Sequence, residues 1–301
     1  MGKKIAVVGG DLRMIYLSKM LSKHNTVLTF GQEMAEIKTD AMKIDDLKSA
    51  IELSDIIIGP IPFTKDGENI NTSYSKEKIL IKDFIRHSSG KTVITGAVKE
   101  DVLDLSEKKD VHIIDLMKEE SLTVLNTIAT AEGTIELAMQ RTKRTIHGSK
   151  VLILGYGRVA KVVAQKFNAI NALVTCAARK EEAFAWMEVE GYKSININKL
   201  GSNLGEYDII INTPPTIILT KERLQKLKRD CLVIDLASRP GGVDQDAINK
   251  LNINYEWALG LPGKVAPITA AEHISQTLER ILMEVEIWQF IKRLFWVLFK
   301  E

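Results

Sequence analysis

One turn in the middle of the chain constrains its fold more than any other feature. Val151-Leu-Ile-Leu154 is an apolar run of strand character. Gly155-Tyr156-Gly157-Arg158-Val159-Ala160 follows it, and Val159 to Phe167 reads as an apolar, helix-like stretch. Strand, Gly-x-Gly-x-x-Ala and helix in that order is the context in which paired glycines signify dinucleotide binding. Gly155 permits the tight turn, Gly157 lets the backbone approach a pyrophosphate, and the small Ala160 allows close packing of helix on strand. The free N–H groups at the helix start then face the phosphates. A glycine turn also serves as a plain connector, but the flanking pattern favours the cofactor reading. It assigns Gly155, Tyr156, Gly157, Arg158 and Val159 to the cofactor.

The next strand, Ala172-Leu-Val-Thr-Cys176, ends in Ala177-Ala178-Arg179-Lys180. A site for NAD places Asp or Glu at this strand end to bond the ribose 2′-hydroxyl. Here no acid precedes Glu181, and Arg179 with Lys180 suits a 2′-phosphate. The expected cofactor is therefore NADP. The alternative is a solvated Arg-Lys pair on a loop.

The length of 301 residues suits two domains of ordinary size. Ile5–Val8, Thr26–Phe30, Ile56–Gly59, Thr92–Thr95 and Val111–Ile114 read as strands separated by helical patterns, which argues for a parallel sheet. Gly9-Gly10-Asp11 lacks the spacing of the later motif, and Asp11 would repel a pyrophosphate. The first domain is thus expected to resemble a nucleotide fold without holding a nucleotide. Residues 119–143 form a linking segment of helical character. Strands at Val151–Leu154, Leu173–Cys176, Ile209–Asn212, Leu232–Asp235 and Asn254–Trp257 build the second domain. After Pro267, Ile268 to Phe299 reads as one or two long helices that return to the first domain. The expectation is an α/β protein of two Rossmann-like, doubly wound domains with parallel sheets linked by long helices. Residues 1–125, with helices 268–301 packed back on them, form one domain; residues 126–267, linking helix included, form the other.

Lys plus Arg is 41 and Asp plus Glu is 39, so the formal net charge is 41 − 39 = +2, which gives no reason to expect nucleic acid. Cys176 and Cys231 are far apart in apolar strands and read as small core residues of a reducing cytoplasm. The start, Met1-Gly-Lys-Lys-Ile-Ala-Val-Val8, lacks the pattern of a signal peptide. The aromatic end, Trp288 to Phe299, is too short and interrupted to span a bilayer. A membrane-surface helix is one reading. Burial against the first domain or against a neighbouring protomer is preferred, because a contiguous apolar patch usually marks an interface, so a homo-oligomer is expected. No histidine and carboxylate cluster has metal-ligand spacing.

Ligands of a doubly wound sheet lie at its carboxyl strand ends. Asn212-Thr213-Pro214 follows one strand, where the nicotinamide ribose is expected. Leu236-Ala237-Ser238-Arg239-Pro240-Gly241-Gly242 follows another. Ala237 is assigned to the cofactor, and Ser238 and Arg239 to catalysis. Arg239 also suits a substrate carboxylate, because its planar fork binds one bidentately; a salt bridge to Asp235 is the alternative. Arg13, Lys264 and Thr130 complete the expected substrate contacts. Lys264 lies in Gly260–Pro267, read as a rigid glycine–proline loop. Glu132, near the start of the linking helix, suits a general base equally with a capping or hinge role.

Several stretches together resemble the A subunits of the dipicolinate synthases of endospore-forming bacteria. They are Ile5-Ala-Val-Val-Gly-Gly-Asp11, Ala131-Glu132-Gly133-Thr134, Thr145-Ile-His-Gly148-Ser149, the turn at 155–160, Asp235 to Gly242, and Gly260-Leu-Pro-Gly263 with Val265-Ala-Pro267. The likeness covers nearly the whole chain up to about Glu286; the aromatic tail departs from it. It implies NADP-dependent oxidation of a lysine-pathway intermediate, a small dicarboxylate, to pyridine-2,6-dicarboxylate. It also implies partnership with a flavoprotein-like B subunit, and the cytoplasm of the sporulating mother cell. Two other readings stay open: another two-domain NAD(P)-dependent dehydrogenase, such as a D-hydroxyacid or alanine dehydrogenase relative, and a non-catalytic NADP sensor. The His–Glu pair of the hydroxyacid enzymes is not evident near His273, which weakens the former.

Overall fold

The computed structural model describes the backbone of residues 2–298, with the side chains of all of these except Ser202 and residues 284–298. The chain divides into two compact units. One is Met1–Leu125 with Ala266–Glu301, the other Asn126–Val265.

The first unit carries strands β1 (Lys4–Val8), β2 (Thr26–Phe30), β3 (Met42–Lys43), β4 (Ile56–Ile58), β5 (Thr92–Thr95) and β6 (His112–Asp115). Helices α1 (Leu12–Leu21), α2 (Leu47–Glu52), α3 (Ile81–His87) and α4 (Glu100–Glu107) alternate with them. Helix α5 (Glu120–Arg141) then carries the chain into the second unit. There β7 (Lys150–Leu154), β8 (Leu173–Ala178), β9 (Lys193–Asn196), β10 (Ile209–Asn212), β11 (Leu232–Asp235) and β12 (Asn254–Trp257) alternate with α6 (Arg158–Ala169), α7 (Glu181–Val189), α8 (Lys221–Leu224) and α9 (Gln245–Leu251). The short α10 (Leu261–Val265) closes the second unit, and α11 (Pro267–Leu298) returns to the first.

Both sheets are six-stranded, with every neighbouring pair parallel. Their orders are β3-β2-β1-β4-β5-β6 and β12-β11-β10-β7-β8-β9. Numbered within each sheet, both read 3-2-1-4-5-6, the doubly wound dinucleotide order, with the direction of winding reversing between the first and fourth strands. Each unit is thus a Rossmann-like α/β domain. Helices cover both faces, so the central strands are apolar on both sides. Along β1, Ile5 and Val7 join one core and Ala6 and Val8 the other. Along β7, Val151 and Ile153 pack with Phe167 on one face, and Leu152 and Leu154 with Ile210 and Val233 on the other. Helix α11 completes the first unit: Ala271, Ile274, Leu278 and Ile281 share a buried cluster with Met14, Leu17 and Leu21 of α1.

The structure adds to and corrects the sequence reading in several places. Two edge strands, β3 and β9, have no counterpart in that reading. The stretch after Pro267 is a single helix. The expected loop around Lys264 is in part the helix α10, entered through Gly260 in the left-handed region at φ +69°. Glu132 lies in the middle of α5, not near its start, so it caps nothing. The side-chain packing of the aromatic end from Trp288 lies outside the described residues.

Candidate functional site

Carboxyl strand ends of the second sheet surround a half-open cavity of about 510 Å³. It sits over the reversal of winding between β7 and β10. Gly155, Tyr156 and Gly157 form one wall, Ala178, Arg179 and Lys180 a second, and Thr213 and Pro214 a third. Ala183, Ile197, Asn198, Thr216 to Ile218 and Arg223 complete it. Among the described residues, its three charged lining residues, Arg179, Lys180 and Arg223, are all cations, and no Asp or Glu lines it. This wall favours a polyanion.

The turn follows from local sterics. Gly155 has φ +92°, and a Cβ there would stand 2.4 Å from Thr213 Oγ1 and 3.0 Å from Pro214 Cγ. Only glycine combines that backbone with that contact. Thr213 is held beside the turn, its N–H and its hydroxyl both donating to the Leu154 carbonyl at 3.1 and 2.8 Å. Gly157 caps α6 with extended backbone, and a Cβ on it would meet nothing within 4 Å. That is the open approach a pyrophosphate needs over the first turn of a helix. Arg158 and Val159 begin α6, and Ala160 is fully buried against the sheet. The chain thus fits a dinucleotide: glycine backbone and helix start for the pyrophosphate, cations at the end of β8 for the adenosine end. Tyr156 donates its hydroxyl to Glu190 at 2.8 Å. Burial, then that carboxylate, pushes the phenol far above its usual range. Lys161 lies over both the Tyr156 and Trp186 rings, 5.6 and 4.8 Å from their centroids.

Asn212 and Ala237, assigned to the cofactor from the sequence, are buried and stand behind the cavity. Asn212 Nδ2 donates to Asp235 Oδ1 at 2.8 Å and to the Pro214 carbonyl at 3.0 Å. The buried Asp235 carboxylate also accepts from the Ala237 N–H at 3.0 Å and the Gly242 N–H at 2.8 Å. These two side chains tie the loops after β10 and β11 together. They also answer the alternative drawn for Arg239: Asp235 is engaged by amides, not by Arg239. The Arg239 guanidinium stacks on Trp257 at 5.5 Å, and among the described residues no hydrogen bond or ion pair engages it. Trp257 in turn donates its indole N–H to the Ala237 carbonyl at 2.9 Å. Ser238 and Arg239 are both exposed.

The other expected site residues do not line this cavity. Lys264 is exposed on α10. Thr130 donates its hydroxyl to the Asn126 carbonyl within α5 at 2.8 Å. Glu132 is 54% exposed and pairs with Lys166 of α6 at 3.1 Å, a partner the sequence does not reveal. Arg13 is buried in the first unit. It pairs with Asp11 at 2.7 Å and donates to the Ile61 carbonyl. Its Nε and Nη2 are thus engaged within its own unit. The Gly9-Gly10 turn is filled by the chain itself: Gly10 N–H donates to the Asn71 carbonyl at 2.7 Å, and Ser73 N–H to the Gly10 carbonyl at 3.1 Å. The described residues contain no group of three or more His, Cys, Asp and Glu able to hold a metal ion. No described helix is long and apolar enough to cross a membrane.

Known proteins resemble this chain in sequence and in fold. Residues 4–117 match the N-terminal domain of the dipicolinate synthase A subunit, and residues 136–255 the shikimate / quinate 5-dehydrogenase family. The dipicolinate synthase A subunit of Bacillus subtilis (strain 168) is 32% identical over 289 residues, covering 95% of this chain and 97% of that protein. The crystal structure of the A subunit of the Bacillus halodurans dipicolinate synthase superposes with a TM-score of 0.86 at 31% identity, covering 94% of this chain and 98% of that one. The crystal structure of its Bacillus subtilis counterpart gives 0.83 at 31% identity, covering 95% and 98%. Both halves match, in order and over nearly their full length, so the chain belongs to the family of dipicolinate synthase A subunits, with a dehydrogenase-type second domain.

Proposed function

We propose that this protein uses NADP to oxidise a dihydrodipicolinate-type intermediate of the lysine pathway to pyridine-2,6-dicarboxylate for bacterial spores. The observation that carries the reading is the all-cationic charge of the cavity, with Arg179 and Lys180 at the end of β8 where an NAD site needs an acid. Family membership supports the product.

Aromatising a dihydropyridine ring removes a hydride from one ring carbon and a proton from its neighbour. A bound nicotinamide supplies the hydride acceptor. Gly155 to Val159 hold the pyrophosphate, Thr213 and Pro214 border the ribose, and Arg179 with Lys180 takes the 2′-phosphate. Arg239, its guanidinium over the Trp257 ring, is the residue for a substrate carboxylate, beside Ser238. Lys264 and Thr130 are further substrate contacts, and Glu132 is the candidate proton acceptor. The protein acts in the mother-cell cytoplasm as a homo-oligomer, together with a flavoprotein-like B subunit.

The test is reduction of NADP, followed by absorbance, when the product of dihydrodipicolinate synthase is supplied, with and without the B subunit. Formation of NADPH and pyridine-2,6-dicarboxylate in equal amounts is expected. Tight NADP binding without turnover in either condition would make the protein a nucleotide sensor.

A further inference from the structure

The cavity has a far wall that the glycine motif does not supply. Arg223, on α8, donates from Nη1 to the Ile218 carbonyl at 2.8 Å and from Nη2 to the Ile197 carbonyl at 3.0 Å. Ile197 follows β9, whereas Ile218 lies on the loop after β10. In the sheet these strands are separated by β7 and β8. Three strand spacings amount to roughly 14 Å, which one side chain does not span. The Ile218 N–H donates to the Gly242 carbonyl at 2.9 Å, which holds the loop after β10 beside that after β11. This loop and the segment after β9 therefore approach each other over the carboxyl ends of β7 and β8, and Arg223 fastens the two together. The slot so formed has Ile197, Ile217 and Ile218 along it, and Ile217 is left 59% exposed.

We infer that Arg223 is the purine-binding residue of this site, holding the adenine of the dinucleotide against the face of its guanidinium. The inference rests on the cavity being the dinucleotide site. Both terminal nitrogens of Arg223 are turned to backbone carbonyls, which fixes the plane of the group. A guanidinium fixed by its edge offers a ligand its flat face, and flat aromatic rings are what such a face takes. The exposed Ile217 lines the same cavity and offers a flat ring an apolar contact. Arg179 lines the same cavity from the end of β8, where the 2′ substituent is expected. The two arginines thus divide the adenosine: one reads the 2′ substituent, the other the base.

The test is a titration of wild type, Arg223→Met and Arg223→Lys with four probes: NADP, NAD, 2′,5′-ADP and nicotinamide mononucleotide. Both variants should lose affinity for NADP, NAD and 2′,5′-ADP by a common factor, roughly two- to thirtyfold for one cation–π stack. Affinity for the mononucleotide, which has no adenine, should stay as in wild type. Retention of wild-type affinity for 2′,5′-ADP overturns the inference and leaves the cofactor reading standing. So does full rescue by lysine, which keeps the charge without the plane, or a loss confined to NADP. An equal loss for the mononucleotide makes Arg223 a brace of the whole cavity and overturns it too. Wild type that binds neither NADP nor 2′,5′-ADP brings down the cofactor reading itself.

Discussion

Arg179 stands where one side chain decides between two cofactors. A charged hydrogen bond contributes roughly 1.5–3 kcal/mol. Arg179→Ala is therefore expected to weaken NADP binding about tenfold to a hundredfold and NAD binding far less. Equal losses in parallel fluorescence titrations would remove the 2′-phosphate assignment. Arg239 poses a different question, because its charge and its plane are separable. Arg239→Lys keeps the charge but loses the fork and the stack on Trp257. The KM for the dicarboxylate should rise while NADP affinity holds; a lowered melting temperature with unchanged kinetics would make Arg239 structural. Glu132→Gln breaks the pair with Lys166, and an exposed pair contributes at most about 1 kcal/mol. The fold should survive. If Glu132 accepts the proton, kcat drops by about 10²–10⁴-fold and the acidic limb of the pH–rate profile goes with it. An unchanged rate assigns the residue to its ion pair alone.

At the scale of elements, the loops after β10 and β11 are assembled as one object on the Asn212–Asp235 pair. Gly242 is the closest approach in it: a Cβ would fall 2.0 Å from Asn212 Nδ2 and 2.7 Å from the Pro214 carbonyl oxygen. Gly242→Ala must push these loops apart. A loss of about 1–3 kcal/mol in urea unfolding is expected, together with weaker NADP binding, because Pro214 lines the cavity. A variant of full stability would mean that the loops part without strain. The elements also show what can be read from sequence. Ile209–Asn212, Leu232–Asp235 and Thr92–Thr95 are legible to the residue, because strands covered on both faces are nearly continuous apolar runs. Met42–Lys43 and Lys193–Asn196 are not, because edge strands this short and polar have no periodicity to detect. Likewise the near wall of the cavity is legible in the glycine turn and the Arg179-Lys180 pair. The far wall is not: Ile197 follows β9, whereas Ile218 and Arg223 follow β10, and the two segments meet only through the fold. Nor does any sequence pattern announce that Arg13 is turned inward onto Asp11 and Ile61.

Over the whole molecule, the two thiols make stability depend on alkaline pH. Burial, aided at Cys176 by Glu190, pushes both Cys176 and Cys231 up from 9.0 to about 12. Between these values the unfolded chain has released the protons and the folded chain has kept them. Their contribution is therefore complete below pH 9 and is lost as pH rises toward 12. The loss amounts to as much as roughly 1.4 kcal/mol per pH unit for each thiol. Urea midpoints should fall above pH 9, and Cys176→Ala with Cys231→Ala should flatten that fall. A slope unchanged in the double variant would place the effect on other groups.

The first unit is made from both ends of the chain, while the second is one uninterrupted stretch. During synthesis the ribosome delivers Met14, Leu17 and Leu21 before the second unit, and their partners Ala271, Ile274, Leu278 and Ile281 only after it. The domain begun first is thus finished last. Its helix α1 has Ile5, Val7 and Val27 of the strands at once but waits for α11 while some 250 residues are translated, about 12–50 s at 5–20 residues per second. The dehydrogenase domain meanwhile has its last buried core residue, Leu261, before α11 is made. The first unit therefore cannot complete the cluster around α1 until the whole of the second has been made.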